Sequence, residues 1–499
     1  MPRAKITVHL DEPHGPVIRP ELYGHFAEHL GECVYGGLWV GEDSPIPNHA
    51  GLRADAIDAL RRIKPAVLRW PGGCFADDYH WEDGVGPRRE RPRTVNLWWG
   101  QTVETNHFGT HEFLNLCRFL GAEPYLAGNV GSGSPAEMRN WLEYCNYAGD
   151  STLARRRAAN GSPRPFGVKY WGVGNENWNC GGAFCPEDYA AEYKRFATYL
   201  RDFGGTRPFL IGCGPDGNDL EWTRRFFAKL GTRGLGLIHG YAAHYYCGTA
   251  GPSATEYDVN QWYELLGKAA AVETLIEQQR AAMDEFDPGR RVGLVLDEWG
   301  TWHLPTPGRN PAFLWQQNTL RDALVAAITL DTFNRHADKL VMANVAQVAN
   351  VLQAMILTEG GRMVLTPTYH VFEMYQSHQG GRAVRATFEA PPISYAAGEQ
   401  RRQLHGLSGS ASMKDGVLTL SVVNPHATLP VDAAVELRGA RSWGEPNVRV
   451  LAHDDDITAH NTFEDPDAVE PTERHVQPGA EWVNEFPPAS VTTIRLRPQ

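Results

Sequence analysis

The stretch Tyr170-Trp171-Gly172-Val173-Gly174-Asn175-Glu176-Asn177 predicts a short buried strand that ends in three polar side chains. Its apolar part is too short for a helix, and glycines interrupt it. Parallel (β/α)8 barrels carry their functional groups at the carboxyl ends of their strands. We therefore predict that this stretch is one strand of such a barrel and that Glu176 lies on its active rim.

A second stretch repeats this pattern further along the chain. The run Val292-Gly293-Leu294-Val295-Leu296-Asp297-Glu298-Trp299-Gly300 is again apolar and again ends in a carboxylate. At roughly 30 to 40 residues per βα unit, Glu298 should lie about three strands beyond Glu176 on the same rim. Two glutamates facing each other across a pocket are the groups that cleave a glycosidic bond.

Strand and helix patterns alternate eight times along the first three quarters of the chain. The predicted strands are Leu22–Ala27, Ala66–Trp70, Pro124–Val130, Val168–Val173, Phe209–Cys213, Ile238–His244, Val292–Asp297 and Ala343–Val351. The helical patterns between them include Arg53–Ile63, Thr110–Leu120, Pro135–Tyr147, Pro186–Phe203, Gln261–Met283 and Pro311–Arg335. This alternation predicts an α/β fold, a (β/α)8 TIM barrel rather than an open sheet.

The pattern changes after Gln379, where short β-rich runs separated by turn residues replace the helices. Four of these runs, Val417–Val423, Val431–Leu437, Val448–Ala452 and Val491–Leu496, predict a C-terminal β-sandwich. The strand Ile6–Leu10 precedes the barrel and needs a partner, so we assign it to the sandwich. The predicted domains are a barrel over 19–379 and a sandwich over 1–18 and 380–499.

Composition narrows the class of protein. The chain has 499 residues and a formal net charge of −12, which disfavours binding to nucleic acid or to an anionic membrane. No apolar signal-peptide core follows Met1, and no run approaches the roughly 18 apolar residues of a membrane span, so we expect a cytoplasmic protein.

Eight cysteines lie in the first half of a chain large enough to fold without disulfides, so reduced thiols are the default expectation. The nearest pair, Cys180 and Cys185, leaves open a bridge or a metal. A single pair lacks the further ligands that zinc prefers, and we predict no metal site.

One motif resembles the glycine-rich motif of a dinucleotide-binding site. Gly212-Cys213-Gly214-Pro215-Asp216-Gly217 matches the dinucleotide pattern G-x-G-x-x-G after a strand. The acidic residue expected about 20 residues later is missing, because 222–255 contains no Asp or Glu. We predict no cofactor.

Polar residues follow most of the predicted strands and should converge at one rim. They are Glu28, Arg69, Cys74, Asn129, Asn175, Glu176, His244, Tyr246, Glu298 and Gln353. Fifteen tryptophans accompany them in the chain, and indole faces suit the apolar faces of sugar rings.

Five strings in this rim resemble those of glycoside hydrolase family 51, which is dominated by retaining α-L-arabinofuranosidases. They are Tyr23-Gly24-His25-Phe26-Ala27-Glu28-His29, Arg69-Trp70-Pro71-Gly72-Gly73-Cys74-Phe75, Gly172-Val173-Gly174-Asn175-Glu176-Asn177, Asp297-Glu298-Trp299 and Asn350-Val351-Leu352-Gln353. The resemblance implies an acid/base after strand four, a nucleophile after strand seven and a sandwich that includes the N-terminal strand. It further implies no cofactor and a homo-oligomer, often a hexamer.

The resemblance also implies a role for each site residue. Glu176 is the expected acid/base, Glu298 the expected nucleophile, and Asn175 the partner of the sugar 2-hydroxyl. His244 and Tyr246 should orient the carboxylates, Glu28 and Gln353 should bind the terminal furanose, and Trp302 should close the pocket. Cys74 departs from the family, which has a sugar-binding asparagine there, and a thiol is a weaker hydrogen-bonding group.

These expectations describe an exo-enzyme that releases terminal α-L-arabinofuranosyl units from arabinan or arabinoxylan oligosaccharides. An endo-β-1,4-glucanase or β-xylosidase of the same family is the closer alternative. A non-catalytic carbohydrate-binding protein is the remote one, because both glutamates are present.

Overall fold

Eight parallel strands close into a barrel in the computed structural model, which describes residues 4–440, 442, 444–475 and 482–497. We number them one to eight in chain order, which is also their order around the barrel. They are Gly24–Phe26, Val67–Trp70, Glu123–Gly128, Tyr170–Val173, Phe209–Gly212, Gly240–Gly248, Gly293–Trp302 and Leu340–Ala346. The predicted fold class is confirmed.

Helices surround the barrel. They are Ala54–Ile63, Thr110–Leu120, Pro135–Asn146, Thr152–Ala159, Pro186–Ala197, Leu220–Leu235, Val259–Ala270, Val272–Asp284, Leu320–Arg335 and Pro367–Tyr375. The predicted helix Gln261–Met283 is two helices that meet at Ala271, and the helix predicted from Pro311 begins only at Leu320. Thr319 caps that later start, because its side chain accepts a hydrogen bond from the amide of Arg321.

The helix Leu320–Arg335 joins the barrel to the second domain. Every residue from Leu320 to Asn334 is buried, which is unusual for a barrel helix with a solvent face. One side packs on barrel strand seven, and the other packs on sandwich strands such as Ser408–Lys414. The two domains therefore share one buried helix.

Two sheets form the sandwich. The first has the strand order Ala386–Glu389, Ala4–His9, Val431–Arg438, Trp482–Phe486. The second has the order Arg382–Val384, Ser408–Lys414, Val417–Asn424, Ser490–Leu496, Asn447–Leu451, Thr472–His475. A separate hairpin of Ile393–Ala397 and Gln400–Leu404 packs on the helix Val259–Ala270.

The N-terminal strand is an interior strand of the first sheet. Ala4–His9 pairs in parallel with Val431–Arg438 and antiparallel with Ala386–Glu389. The predicted domain bounds stay a prediction, and they include residues 1–3, 441, 443, 476–481 and 498–499, which lie outside the described residues.

Among the described residues, no helix combines the length and the apolar character needed to cross a membrane.

Candidate active site

Barrel closure brings the two predicted glutamates together. Glu176 follows the end of strand four by three residues, and Glu298 lies within strand seven. An oxygen of each carboxylate lies within 4.8 Å of the other and of a nitrogen of His244. Carboxyl groups roughly 5 to 5.5 Å apart are typical of retaining glycosidases, whereas inverting enzymes leave a wider gap for a water molecule.

The backbone turns sharply as strand four ends. Gly174 has a φ of 89°, a left-handed conformation that glycine adopts without steric cost. Glu176 itself has a φ of 40°, which is uncommon for a residue with a Cβ atom. Such conformations concentrate at functional sites, and here the turn directs the Glu176 carboxylate across the rim.

Two hydrogen-bond donors and one more distant imidazole nitrogen surround the Glu298 carboxylate. Arg69 Nη1 donates to Oε1 at 2.6 Å, the Tyr246 hydroxyl donates to Oε2 at 2.7 Å, and His244 Nδ1 lies 3.6 Å from Oε2. Burial alone would raise the pKa of Glu298, but the charges of His244 and Arg69 and the hydrogen bonds outweigh it and hold the pKa below its usual range. Glu298 is therefore ionised at neutral pH, as a nucleophile requires.

His244 bridges the two glutamates. Its Nδ1 lies 3.0 Å from Glu176 Oε1. Burial lowers the pKa of His244, but the charges of Glu298 and Glu176 outweigh burial and raise it above the usual imidazole value. A bulge between Ala243 and His244 shifts strand six against strand seven, so that His244 pairs with Glu298 in register. The side chain of Glu176 is 19% exposed and that of Glu298 is 7% exposed, so Glu176 lies nearer to solvent.

Arg69 connects Glu298 to the end of strand four. Its Nη2 donates to Asn175 Oδ1 at 2.6 Å, and its side chain is almost wholly buried. The Asn175 amide nitrogen donates to Asp77 Oδ2 at 2.9 Å. Asp77 also accepts from the backbone amides of Val130 and Gly131, each at 2.8 Å. The sequence pattern indicated Arg69, but it gave no signal for Asp77, which lies in a short 3-10 helix after strand two.

Glu28 lies on the same rim with three donors. Its carboxylate accepts from the Phe75 amide at 3.1 Å, from Trp99 Nε1 at 2.9 Å and from Gln347 Nε2 at 3.1 Å. Burial, with a contribution from the Glu298 charge, raises the pKa of Glu28 to about 7. A Cβ atom at Gly73 would lie 3.0 Å from Glu28 Oε1, so glycine there leaves room for the carboxylate.

The prediction that Gln353 binds sugar is corrected by its contacts. Its side chain is fully buried and donates to the Asp322 carbonyl at 2.7 Å and to Thr368 Oγ1 at 3.2 Å. Its Oε1 accepts from the Thr301 amide at 2.9 Å, so the amide is occupied within the protein. The glutamine beside Glu28 is Gln347, because strand eight ends at Ala346, five residues earlier than predicted.

The prediction of reduced cysteines is wrong for Cys74, which forms a disulfide with Cys180. The alternative bridge from Cys180 to Cys185 is wrong as well, and Cys185 is a free, exposed thiol. The Cys74–Cys180 disulfide joins the segments that follow strands two and four. The Cys74 and Cys180 sulfurs lie 3.9 and 3.8 Å from Glu176 Oε2. Cys74 therefore has no S–H to donate to a sugar.

Trp302 lies at the mouth of the site. Its side chain is 37% exposed, and its ring meets that of Tyr246 edge to face with centroids 5.1 Å apart. Asn129, by contrast, is used within its own loop, where it bonds to Ser132 and to the backbone of Tyr79 and Gly133.

Two groups of potential metal ligands overlap at Glu176 among the described residues. One combines it with His244 and Glu298, and the other with Cys74 and Cys180. In the first, the carboxylates already have partners within the protein in His244, Arg69 and Tyr246. The second uses disulfide sulfurs, which lack the thiolate charge that metals prefer.

A (β/α)8 barrel with two close glutamates, one just after strand four and one within strand seven, and with the second held ionised, defines a retaining glycoside hydrolase. Comparison with known proteins gives the family. Residues 59–221 match the model described as the α-L-arabinofuranosidase 1 domain, and residues 297–490 match the α-L-arabinofuranosidase C-terminal domain. The chain belongs to the α-L-arabinofuranosidases of glycoside hydrolase family 51.

Three relatives support this assignment over the whole chain. An intracellular exo-α-L-arabinofuranosidase of Bacteroides ovatus is 44% identical over 99% of this chain and 96% of its own. The crystal structure of a family 51 arabinofuranosidase from Xanthomonas axonopodis pv. citri superposes with a TM-score of 0.94, 40% identity and full coverage of both chains. The arabinose complex of the Thermotoga maritima α-L-arabinofuranosidase gives 0.87 and 31% identity, covering 99% of this chain and 100% of that one.

Proposed function

We propose that this enzyme releases terminal α-L-arabinofuranosyl units from arabinan or arabinoxylan oligosaccharides with retention of configuration. The observation that carries the proposal is the close pair of Glu176 and Glu298, in a chain similar over its whole length to an exo-α-L-arabinofuranosidase. The surrounding set of Glu28, Asn175 and Gln347 provides polar groups for one sugar ring.

The geometry supports a double displacement. In the first step, a Glu298 oxygen attacks the anomeric carbon, and the glycosidic oxygen leaves with the proton of Glu176. In the second step, Glu176 takes a proton from water, which attacks the anomeric carbon and releases Glu298. Arg69 and Tyr246 keep the attacking carboxylate ionised and fixed, and His244 holds the two carboxylates in one arrangement.

We assign the sugar contacts to five side chains. Asn175 faces the 2-hydroxyl: its Oδ1 is held by Arg69, and its side-chain Nδ2, which contacts only the Cys180 sulfur at 3.8 Å among the described residues, has a second N–H to donate. Glu28 and Gln347 bind the ring hydroxyls as a pair, because they hydrogen-bond to each other. Tyr246 and Trp302 close the pocket. We assign no sugar contact to Gln353, whose amide is occupied within the protein, or to Cys74, whose sulfur is in the disulfide.

The test is a panel of nitrophenyl glycosides with analysis of the products. The α-L-arabinofuranoside should be cleaved at least ~100-fold faster than the β-D-xyloside or β-D-glucoside, because buried polar groups left unpaired by the wrong ring cost about 1 to 3 kcal/mol each. Release of free arabinose alone from arabinan fragments supports an exo-acting pocket. Mixed cello-oligosaccharides from soluble cellulose would instead support the glucanase alternative.

We further propose that the enzyme acts in the cytoplasm as a homo-oligomer, with a hexamer as the expected size. The name of the Bacteroides ovatus relative supports the location, and the family resemblance supports the assembly. Light scattering at micromolar concentration measures the mass, and a monomer there would contradict the assembly.

A further inference from the structure

A groove of about 500 Å³ lies between the second sandwich sheet and the barrel, far from the two glutamates in the fold. Its floor is formed by the strands Val417–Asn424, Ser490–Leu496 and Asn447–Leu451. Its wall is formed by the end of the helix Pro367–Tyr375 and by Lys64, which ends the helix Ala54–Ile63. We call it the basic groove.

The pairing of the floor strands explains why polar side chains meet there. Alternate residues of a strand point to the same face of the sheet. Thr419, Arg495 and Asn447 form one cross-strand row, and Arg449 lies beside Thr493 in the next. The intervening residues, such as Leu418, Ile494 and Val448, face the sandwich core. The floor is therefore the outer face of a sheet whose inner face is apolar.

This face carries an excess of positive charge in a chain of net charge −12. Among the residues that the structure describes, five cations and two acids line the groove: Lys64, Lys414, Arg449, Arg495, Arg497, Glu373 and Asp415. Glu473, the cross-strand neighbour of Arg449, adds a carboxylate at the edge. The cations outnumber the acids even with Glu473 included.

Most of these cations have no acidic partner within the described residues. Arg449 pairs with Glu373 at 3.0 Å. Lys414 donates only to the carbonyl of Gln379, and Arg497 only to the carbonyl of Asp415. Arg495 and Lys64 form no ion pair in the described part of the chain. Lys64 lies at a helix C-terminus, where a cation is favoured even without a ligand. The cations of the sheet are therefore the ones that indicate an anion-binding site.

The chemistry of the lining selects the kind of ligand. None of the described residues that line the groove is aromatic, so none of them offers a ring on which a neutral sugar could stack. Arginine guanidinium groups match phosphate and carboxylate geometry. Arg495 and Arg497 are two residues apart, so their backbone positions are about 6.8 Å apart along an extended chain. This separation is larger than the width of a single phosphate or carboxylate group.

We propose that the basic groove binds a small anion that carries two or more phosphate or carboxylate groups. Arg495 and Arg497 contact separate anionic groups of the ligand, and Lys414 adds charge from the neighbouring strand. The hydroxyls of Thr419 and Thr493 and the amide of Asn447 supply hydrogen bonds. This binding does not depend on the proposed glycosidase activity, because the groove shares no residue with the active site.

Calorimetric titration with pyrophosphate and, separately, with citrate tests the proposal. At low salt we expect a dissociation constant below about 1 mM for at least one anion, weakened about tenfold or more at 0.3 M salt by screening. Binding of pyrophosphate alone would assign the groove to phosphate esters, and binding of citrate alone would assign it to polycarboxylates. Saturation should raise the melting temperature by a few degrees, because the ligand binds only the folded state.

The double variant Arg495→Glu/Arg497→Glu should lose at least ~10-fold in affinity. The matched control is Arg401→Glu/Arg402→Glu, which makes the same charge change in the exposed hairpin strand Gln400–Leu404. Arg495→Gln provides a milder change should the double variant fail to fold.

Three results would overturn the proposal. The wild type could bind neither anion, or the control could weaken binding as much as the groove variant. The groove variant could also change the mass of the protein in light scattering, which would assign these cations to a contact between subunits.

Discussion

The His244 ring nitrogen lies 3.0 Å from Glu176 and 3.6 Å from Glu298, and its charge should be visible in the pH dependence of stability. Its pKa is raised in the folded state, so it stabilises the fold fully below the unfolded value of 6.5, and this contribution disappears as pH rises through the higher folded value. We therefore expect His244→Asn to lower the melting temperature more at about pH 5.5 than at about pH 9.

Melting curves over this pH range measure the effect. The exposed His14→Asn provides the control and should show little change at any pH. A loss at His244 that is independent of pH would mean that the ring contributes packing rather than charge.

Glu176 should matter most when the leaving group is poor. In Glu176→Ala, activity on nitrophenyl arabinofuranoside should fall far less than activity on arabino-oligosaccharides, because nitrophenolate leaves without a proton. Glu298→Ala is the matched comparison and should lose about 10⁴-fold or more on both substrates, because the covalent route is removed. Steady-state kinetics on the two substrates measure both effects. Equal losses in Glu176→Ala would contradict the acid role.

Some residues of the site can be predicted from a single sequence, and others cannot. The glutamates, His244 and Tyr246 follow strands whose apolar runs are clear, so their convergence is predictable. Gln347 was missed because the apolar run continues past Ala346, where the strand ends. The partner of Cys74 lies 106 residues away, and only barrel closure brings the two together.

At the scale of elements, Asp77 connects three segments of the rim. Its carboxylate binds backbone amides after strand three and after strand four, including that of Asn175. Asp77→Asn would turn one acceptor into a donor facing an N–H group. We expect a loss of about 1 to 3 kcal/mol in the free energy of unfolding and a fall in kcat of at least ~10-fold, because the acid/base shifts with its neighbour.

Urea denaturation and steady-state kinetics measure these two losses. Asp78→Asn provides the matched control, since Asp78 is adjacent and makes no side-chain hydrogen bond in the described part of the chain. Wild-type kcat in Asp77→Asn would show that the loop keeps its position without this carboxylate.

Helices are difficult to predict where the local sequence pattern conflicts with tertiary packing. Leu220–Leu235 is difficult to predict as a helix from sequence because glycines at 231 and 234 interrupt its pattern. Gly231 is indeed non-helical, with a φ of 67°, so the interruption is real although the segment is largely helical. Thr152–Ala159 is short and polar, with only Ala154 and Arg157 buried, and it presents too little apolar periodicity to be recognised.

At the scale of the molecule, Asp331 lies where the barrel meets the sandwich. It is fully buried and accepts from Ser410 at 2.7 Å and from Tyr375 at 3.0 Å, and also from Ser421. Burial raises its pKa to about 6. Because the helix that carries it is buried on both sides, we expect barrel and sandwich to unfold in one calorimetric transition.

Asp331→Ala removes the acceptor shared by Ser410, Ser421 and Tyr375, although Ser421 can still donate to the Ser410 carbonyl. It should lower the stability of that single transition by about 2 kcal/mol or more. Asp338→Ala, a surface change three residues beyond the same helix, should have little effect. Two separate transitions in the wild type would show that the domains are energetically independent.

The position of the first strand has a consequence for biosynthesis. Ala4–His9 is made first, yet one of its two sheet partners, Val431–Arg438, is made more than 400 residues later. At about 5 to 20 residues per second, this segment waits roughly 20 to 80 s for that partner on the ribosome. We expect it to remain accessible to protease in arrested nascent chains that stop before 431, and to become protected only when the full-length chain is released. The barrel can then form during translation, whereas the first sandwich sheet can close only after Val431–Arg438 has been made.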